Sequence, residues 1–117
     1  MIQKHSSLLT KAYAAFNARN IDAVLAVMHK NVEWANGMEG GHVHGHEAVR
    51  EYWTHQWSLI NPHVEPERFQ LDETGRIVVD VHQIVHDLDG NLMVDQMVQH
   101  VYIVEDDLIP RMDIHEL

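Results

Sequence analysis

Two long alternating runs that meet at Asp89-Gly90 constrain this chain more than any other feature. Residues 77–88 and 92–104 are rich in valine, and nearly every second position is apolar. A period of two is the mark of a half-buried strand. Asp-Gly between two such runs is a strong hairpin signal. A two-residue loop there sets Leu88 opposite Asn91, His86 opposite Met93, His82 opposite Met97 and Asp80 opposite Gln99. One face of the ribbon then carries Asp80, His82, His86, Asp95 and Gln99. The other carries Ile77, Val79, Val81, Val85, Val94, Val98 and Tyr102.

The flanking segments extend this ribbon. Phe69 to Asp72 ends a further strand, turned by Glu73-Thr74-Gly75. Leu108 to about His115 forms the last one, with Arg111, Asp113 and His115 alternating against Met112 and Ile114. A three-residue loop at Glu105-Asp106-Asp107 sets Asp113 beside Gln99 on the polar face. A two-residue loop inverts every side chain. Pooling polar with polar favours three.

The first half is helical in pattern. Leu8, Leu9, Ala12, Tyr13 and Phe16 share one stripe, with Ser6 or Ser7 as a cap. Asn20 interrupts it, and Ile21, Val24, Leu25 and Met28 predict a short second helix. Val32–Trp34 is a short extended piece, and Asn36–Gly45 a glycine-rich loop. A third helix is expected from about His46 to Ile60, with Val49, Trp53, Trp57 and Ile60 on one side. Pro62 and Pro66 bracket its exit. Helices followed by an antiparallel meander make an α+β chain.

Composition removes several function classes. There is no cysteine, hence no disulfide scaffold and no thiolate site. The formal charge is −10, which argues against nucleic acid. Eleven histidines make that charge pH-dependent. No apolar run approaches the ~20 residues of a membrane span. Lys4, His5 and Lys11 interrupt any signal-peptide core, so a cytoplasmic protein is expected. Leu, Ile, Val and Phe make up about 28 % of the chain, above the ~20 % level of disordered sequences. The length fits one domain, residues 1–117.

Several phrases carry a family resemblance. They are Tyr13-Ala14-Ala15-Phe16-Asn17-Ala18-Arg19-Asn20-Ile21-Asp22, then Val32-Glu33-Trp34, then Gly45-His46-Glu47-Ala48-Val49-Arg50-Glu51-Tyr52-Trp53. The ending Val101-Tyr102-Ile103-Val104 through Ile109-Pro110-Arg111-Met112-Asp113 fits as well. In this order the chain resembles the nuclear transport factor 2-like superfamily, in its SnoaL-like branch. The resemblance implies a cone-shaped domain, three N-terminal helices packed in a curved antiparallel sheet, with a pocket at the open end. It further implies a homodimer through the outer sheet face, a role that suits the valine-rich face. It turns the polar face into the pocket, whereas pattern alone sends the valines to the helices.

On that footing the candidate acid/base set is Asp113, His82 and His115, with Arg111 and Gln99 to orient substrate or stabilise negative charge. Salt bridging on an exposed strand is the bland alternative. His82 and His86 share a face, and scytalone-type dehydratases work with a histidine pair and no metal. Tyr13, Trp34, Trp53, Met97, Val101 and His86 are the ligand-contact candidates. His42 and His44, alternate residues of a loop, form a weak metal candidate. The ketosteroid isomerase mechanism does not fit. Asn36 stands where that base belongs, Gln99 stands for the second oxyanion donor, and the tyrosine position falls near Ala12. The expected function is cofactor-free cyclisation, isomerisation or dehydration of a small hydrophobic carbonyl or polyketide-like compound. The alternative is a non-catalytic binding or dimerisation module of the same fold.

Overall fold

The computed structural model describes residues 2–116. Helix α1 (Ile2–Asn17) is followed by α2 (Ile21–Leu25), β1 (Met28–Ala35), β2 (His42–His44) and α3 (Gly45–Leu59). Four long strands complete the chain: β3 (Ile60–Leu71), β4 (Ile77–Asp87), β5 (Leu92–Glu105) and β6 (Leu108–Glu116). The strands form one sheet in the order β2-β1-β6-β5-β4-β3. It is mixed, because β1 runs parallel to β6, and α3 enters only after two strands. Both points correct the expected antiparallel sheet behind three N-terminal helices.

Local chemistry explains most boundaries. Helix α1 begins before Ser6 and Ser7, so neither caps it. Its exit is a Schellman pattern: the Asn20 N–H donates to Ala15 O at 2.8 Å and the Arg19 N–H to Phe16 O at 2.9 Å. Arg19 takes the left-handed position usual for glycine, at φ 63°. Its guanidinium donates to Asn61 and to Pro62 O, and lies 4.9 Å from the centre of the Trp57 ring. That anchoring offsets the backbone cost. Asn20 then caps α2 by accepting from the Ala23 N–H at 3.3 Å. Strand β3 starts directly after α3 and is much longer than the expected Phe69–Asp72. Pro62 and Pro66 lie inside it, which an edge strand tolerates. The Asn17 amide covers part of that edge, donating to Val64 O at 2.8 Å and accepting from Val64 N at 3.0 Å.

The central registers hold, although both turns differ from expectation. Asp80 opposes Gln99 and His82 opposes Met97. The first turn has three residues, with Asp87 N–H donating to Asn91 O and Gly90 at φ 92°. A register shift between Val85 and His86 then restores the pairing, so His86 faces Leu92 and not Met93. The second turn has two residues, Asp106 and Asp107, both at positive φ. A shift between Ile103 and Glu105 again restores parity, and Asp113 opposes Val101 instead of Gln99. In each hairpin a bulge cancels the one-residue slip that the turn introduces.

The assignment of the two faces is the main correction. Helices α1 and α3 bury Leu9, Tyr13, Val49 and Trp53, and an apolar surface has to cover them. Ile77, Val79, Val81, Val85, Val98 and Tyr102 supply it and are themselves buried. The valine face is therefore the concave interior and is not free to meet a second copy. Asp80, His82, Gln99, Arg111 and Asp113 stand on the convex outer face.

Candidate functional site

The concave face does not close completely over the helices. It leaves a cavity of about 270 Å³, walled by aromatic and aliphatic side chains. Helix α1 contributes Tyr13 and Phe16, β1 contributes Trp34, and α3 contributes Tyr52 and Trp53. The rings support one another: Trp34 meets Trp53 edge-on at 5.6 Å, and Phe16 meets Trp53 edge-on at 5.2 Å. Trp53 also stacks on Trp57 at 5.9 Å. Such a wall is aromatic and apolar, and suits a hydrophobic molecule with ring surfaces to bury.

The floor carries the chemistry. The Tyr102 hydroxyl donates to Tyr13 Oη at 2.8 Å, and Tyr13 Oη lies 2.8 Å from His100 Nδ1. With Tyr13 accepting from Tyr102, its own proton goes to Nδ1, which fixes the Nε2–H tautomer of His100. His100 is only 8 % exposed. Burial lowers its pKa to about 4, so the ring is neutral at pH 7. Burial likewise pushes both tyrosines up, that of Tyr13 reinforced by Tyr102. None of the side chains lining the cavity is Asp, Glu, Lys or Arg. On the helix side, Tyr52 Oη accepts from the Gly37 N–H at 3.0 Å and tethers the loop after β1.

Of the residues expected at the site, Tyr13, Trp34 and Trp53 line the cavity. Asp113, His82, His115, Arg111, Gln99, Met97, Val101 and His86 do not. Asp113 lies on the outer face, held by two Arg111 N–H groups at 2.9 and 3.0 Å and by His42 Nε2 at 2.9 Å. The Arg111 hydrogen bond is the main reason its carboxyl stays below the usual range. That makes it an ionised partner, not an acid poised near neutrality. Arg111 also reaches Glu33 at 2.5 Å. His82 meets Asp95 at 2.5 Å and has Glu67 at 3.7 Å, and the Asp95 hydrogen bond raises its pKa. Gln99 donates to Asp80 at 3.0 Å. His115 is exposed opposite Gln99, and Met97 is exposed opposite His82. Val101 is buried between Val78 and Asp113. This outer face is an ion-pair network, as an exposed polar strand face predicts.

His42 and His44 lie on a strand and not in a loop. Their rings go to Asp113 and, at 3.8 Å, to Glu33. Among the described residues no group of three or more His, Asp or Glu side chains is set to hold a metal. No helix among them is long and apolar enough to cross a membrane. The site residues missed from the sequence are His100, Tyr102, Gln83 and Gln96, and of these His100 carries the chemistry. Its signal was legible: it interrupts the apolar alternation on the inward face of β5.

Comparison with known proteins adds the family. No curated protein sequence matches the chain. Among solved structures, TerC co-crystallised with polyporic acid has a TM-score of 0.82 and 26 % identity, covering 95 % of this chain and 89 % of that one. An NTF2-like protein of unknown function from Burkholderia pseudomallei also has a TM-score of 0.82 and 26 % identity, over 96 % of this chain and 89 % of that one. A provisionally assigned polyketide cyclase from Xanthomonas campestris shares the fold, with a TM-score of 0.81 and 20 % identity over 99 % and 92 % of the two chains. Residues 9–112 match the SnoaL-like domain family. With that match added to the concave sheet and its aromatic cavity, the chain belongs to the SnoaL-like domain family.

Proposed function

We propose that the protein binds a flat, uncharged, hydrophobic carbonyl or polyketide-like compound in the cone and converts it by cofactor-free acid/base chemistry. Cyclisation, isomerisation and dehydration all belong to this class. The observation that carries the reading is a neutral His100 at the floor of an aromatic cavity, hydrogen-bonded to Tyr13 and through it to Tyr102. A neutral imidazole can donate Nε2–H to a substrate carbonyl and stabilise the oxyanion as it forms. Donation from Tyr13 to Nδ1 strengthens that N–H, because hydrogen bonds in a chain polarise one another. TerC, co-crystallised with polyporic acid, supports a small organic ligand by similarity.

The second reading is binding without turnover, favoured by a lining that has no ionised side chain. Asp113, His82 and His115 take no part in either reading. A homodimer through the outer face stays in the proposal in altered form, with the ion-paired face and not the valines as the contact.

Titration with 2,6-diacetylnaphthalene, a flat uncharged diketone, followed by tryptophan fluorescence, tests the cavity. Mass-spectrometric screening of polyketide-like carbonyl compounds tests turnover. Wild-type protein is expected to bind and convert at least one compound, and His100→Ala to lose at least ~100-fold in rate, the order seen on removing one oxyanion donor. Binding with no conversion selects the second reading. Conversion unchanged in His100→Ala rejects the role of His100.

A further inference from the structure

Three inward positions of the central ribbon break the apolar alternation: Gln83 on β4, and Gln96 and His100 on β5. Polar residues at core-facing positions cost stability unless they serve a function. All three line the cavity. His100 is buried at the floor, whereas Gln96 is exposed and Gln83 half-buried, so the two amides mark the mouth. They are direct cross-strand partners, with Gln96 Nε2 donating to Gln83 Oε1 at 3.2 Å.

An inventory of the pair shows what remains. Each amide has two N–H donors and one carbonyl oxygen. The mutual bond uses one donor of Gln96 and the oxygen of Gln83. It leaves both donors of Gln83, and on Gln96 the second donor next to a carbonyl with no partner in the pair. Reversing both amides exchanges the partners and leaves the same count. The mouth therefore offers an adjacent donor and acceptor, with no charge. Four residues of strand separate Gln96 from His100, about 13 Å of backbone. A ligand that reaches both is longer than a single ring.

We propose that Gln83 and Gln96 form an amide clamp which, with His100 at the floor, selects an elongated, flat, uncharged ligand. Its outer end carries an adjacent donor and acceptor, as in a carboxamide or hydroxy-carbonyl edge, and its inner end a carbonyl. This deepens the small-molecule reading above and rests on it.

Two probes of nearly identical shape separate the clamp from the cavity. In 6-acetyl-2-naphthamide and 2,6-diacetylnaphthalene the inner carbonyl is the same. Only the first carries N–H groups beside its outer carbonyl. In calorimetric titration the wild type is expected to bind the amide about tenfold more tightly, the worth of one good hydrogen bond. Gln83→Leu and Gln96→Leu each restore the apolar alternation, and both are expected to fold. In either variant the preference falls below about twofold while diacetylnaphthalene still binds. Should one variant fail to fold, the other carries the same comparison. Equal binding of the two probes to the wild type overturns the clamp and leaves the cavity reading standing. Failure of the wild type to bind either probe overturns both.

Discussion

Burial with no ionic partner holds His100 neutral, and this ties its chemistry to stability. The folded protein protonates it only near pH 4, while an unfolded chain does so near 6.5. Between those values the unfolded state binds more protons, so stability rises with pH. The contribution of His100 is full above about pH 6.5 and is lost as pH falls to about 4, on the order of 3 kcal/mol in all. His82 has the opposite sign. Its raised pKa, due first to Asp95, stabilises the fold at low pH and is lost as pH rises through the folded value. The carboxylates held below their usual range act below this window. Partial desolvation of Asp72 acts upward, but hydrogen bonds from Thr74 and Arg76 outweigh it and bring its carboxyl to about 2. Asp113 is lowered as well. Urea unfolding from about pH 4 to about pH 6.5 is therefore expected to show wild-type stability climbing. His100→Gln, which cannot titrate, is expected to show a much flatter profile. Equal slopes in the two proteins would place the titrating group elsewhere.

The elements show what alternation can and cannot reveal. A period of two separated the side chains of β4, β5 and β6 into two correct sets. Pattern alone also sends the valines to the helices, as the structure has them, and it is the family resemblance that turns the polar set inward. The inward set is chosen by the helices, because Leu9, Val49 and Trp53 need an apolar cover and the valines are the available one. Turn lengths differ from the sequence expectation for a related reason. A bulge is invisible in a sequence that reads equally well with one residue more or less. Strand β3 was mostly hidden, since Pro62 and Pro66 read as breakers until the strand is known to lie on an edge. The β5–β6 turn gives a test at this scale. Asp106 and Asp107 adopt φ 53° and 63°, the double left-handed geometry of a type I′ turn. Asn prefers the first of these left-handed positions, and placing it at 106 also removes one of two adjacent negative charges without touching Asp107. Asp106→Asn, with Asp107 kept, is expected to raise stability by about 0.5 kcal/mol, or a few degrees in Tm. A fall in Tm would mean that the turn differs from this geometry in solution.

At the scale of the whole molecule, one sheet serves two surfaces of opposite chemistry. The convex side spends its charges on one another, with Arg111 between Glu33 and Asp113 and His82 against Asp95. The concave side has no ionised group at its cavity and keeps its polar atoms for Tyr13, His100, Tyr102 and a few amides. A chain of 117 residues has little core to spare, and leaving about 270 Å³ unfilled forgoes packing that closer contact would supply. An open cavity at that cost is the pattern of a binding site, where stability is exchanged for function. Ala12 faces this space from α1 and is small. Ala12→Leu adds apolar volume where there is room, at a helical position that suits leucine. The variant is expected to gain about 1 kcal/mol and to lose at least tenfold in affinity for 2,6-diacetylnaphthalene, because the same volume cannot hold both. Thermal unfolding and fluorescence titration on one preparation check both halves. Higher stability with unchanged affinity would place ligand binding outside the cone, and lower stability would mean that the cavity wall is too rigid to accept the side chain.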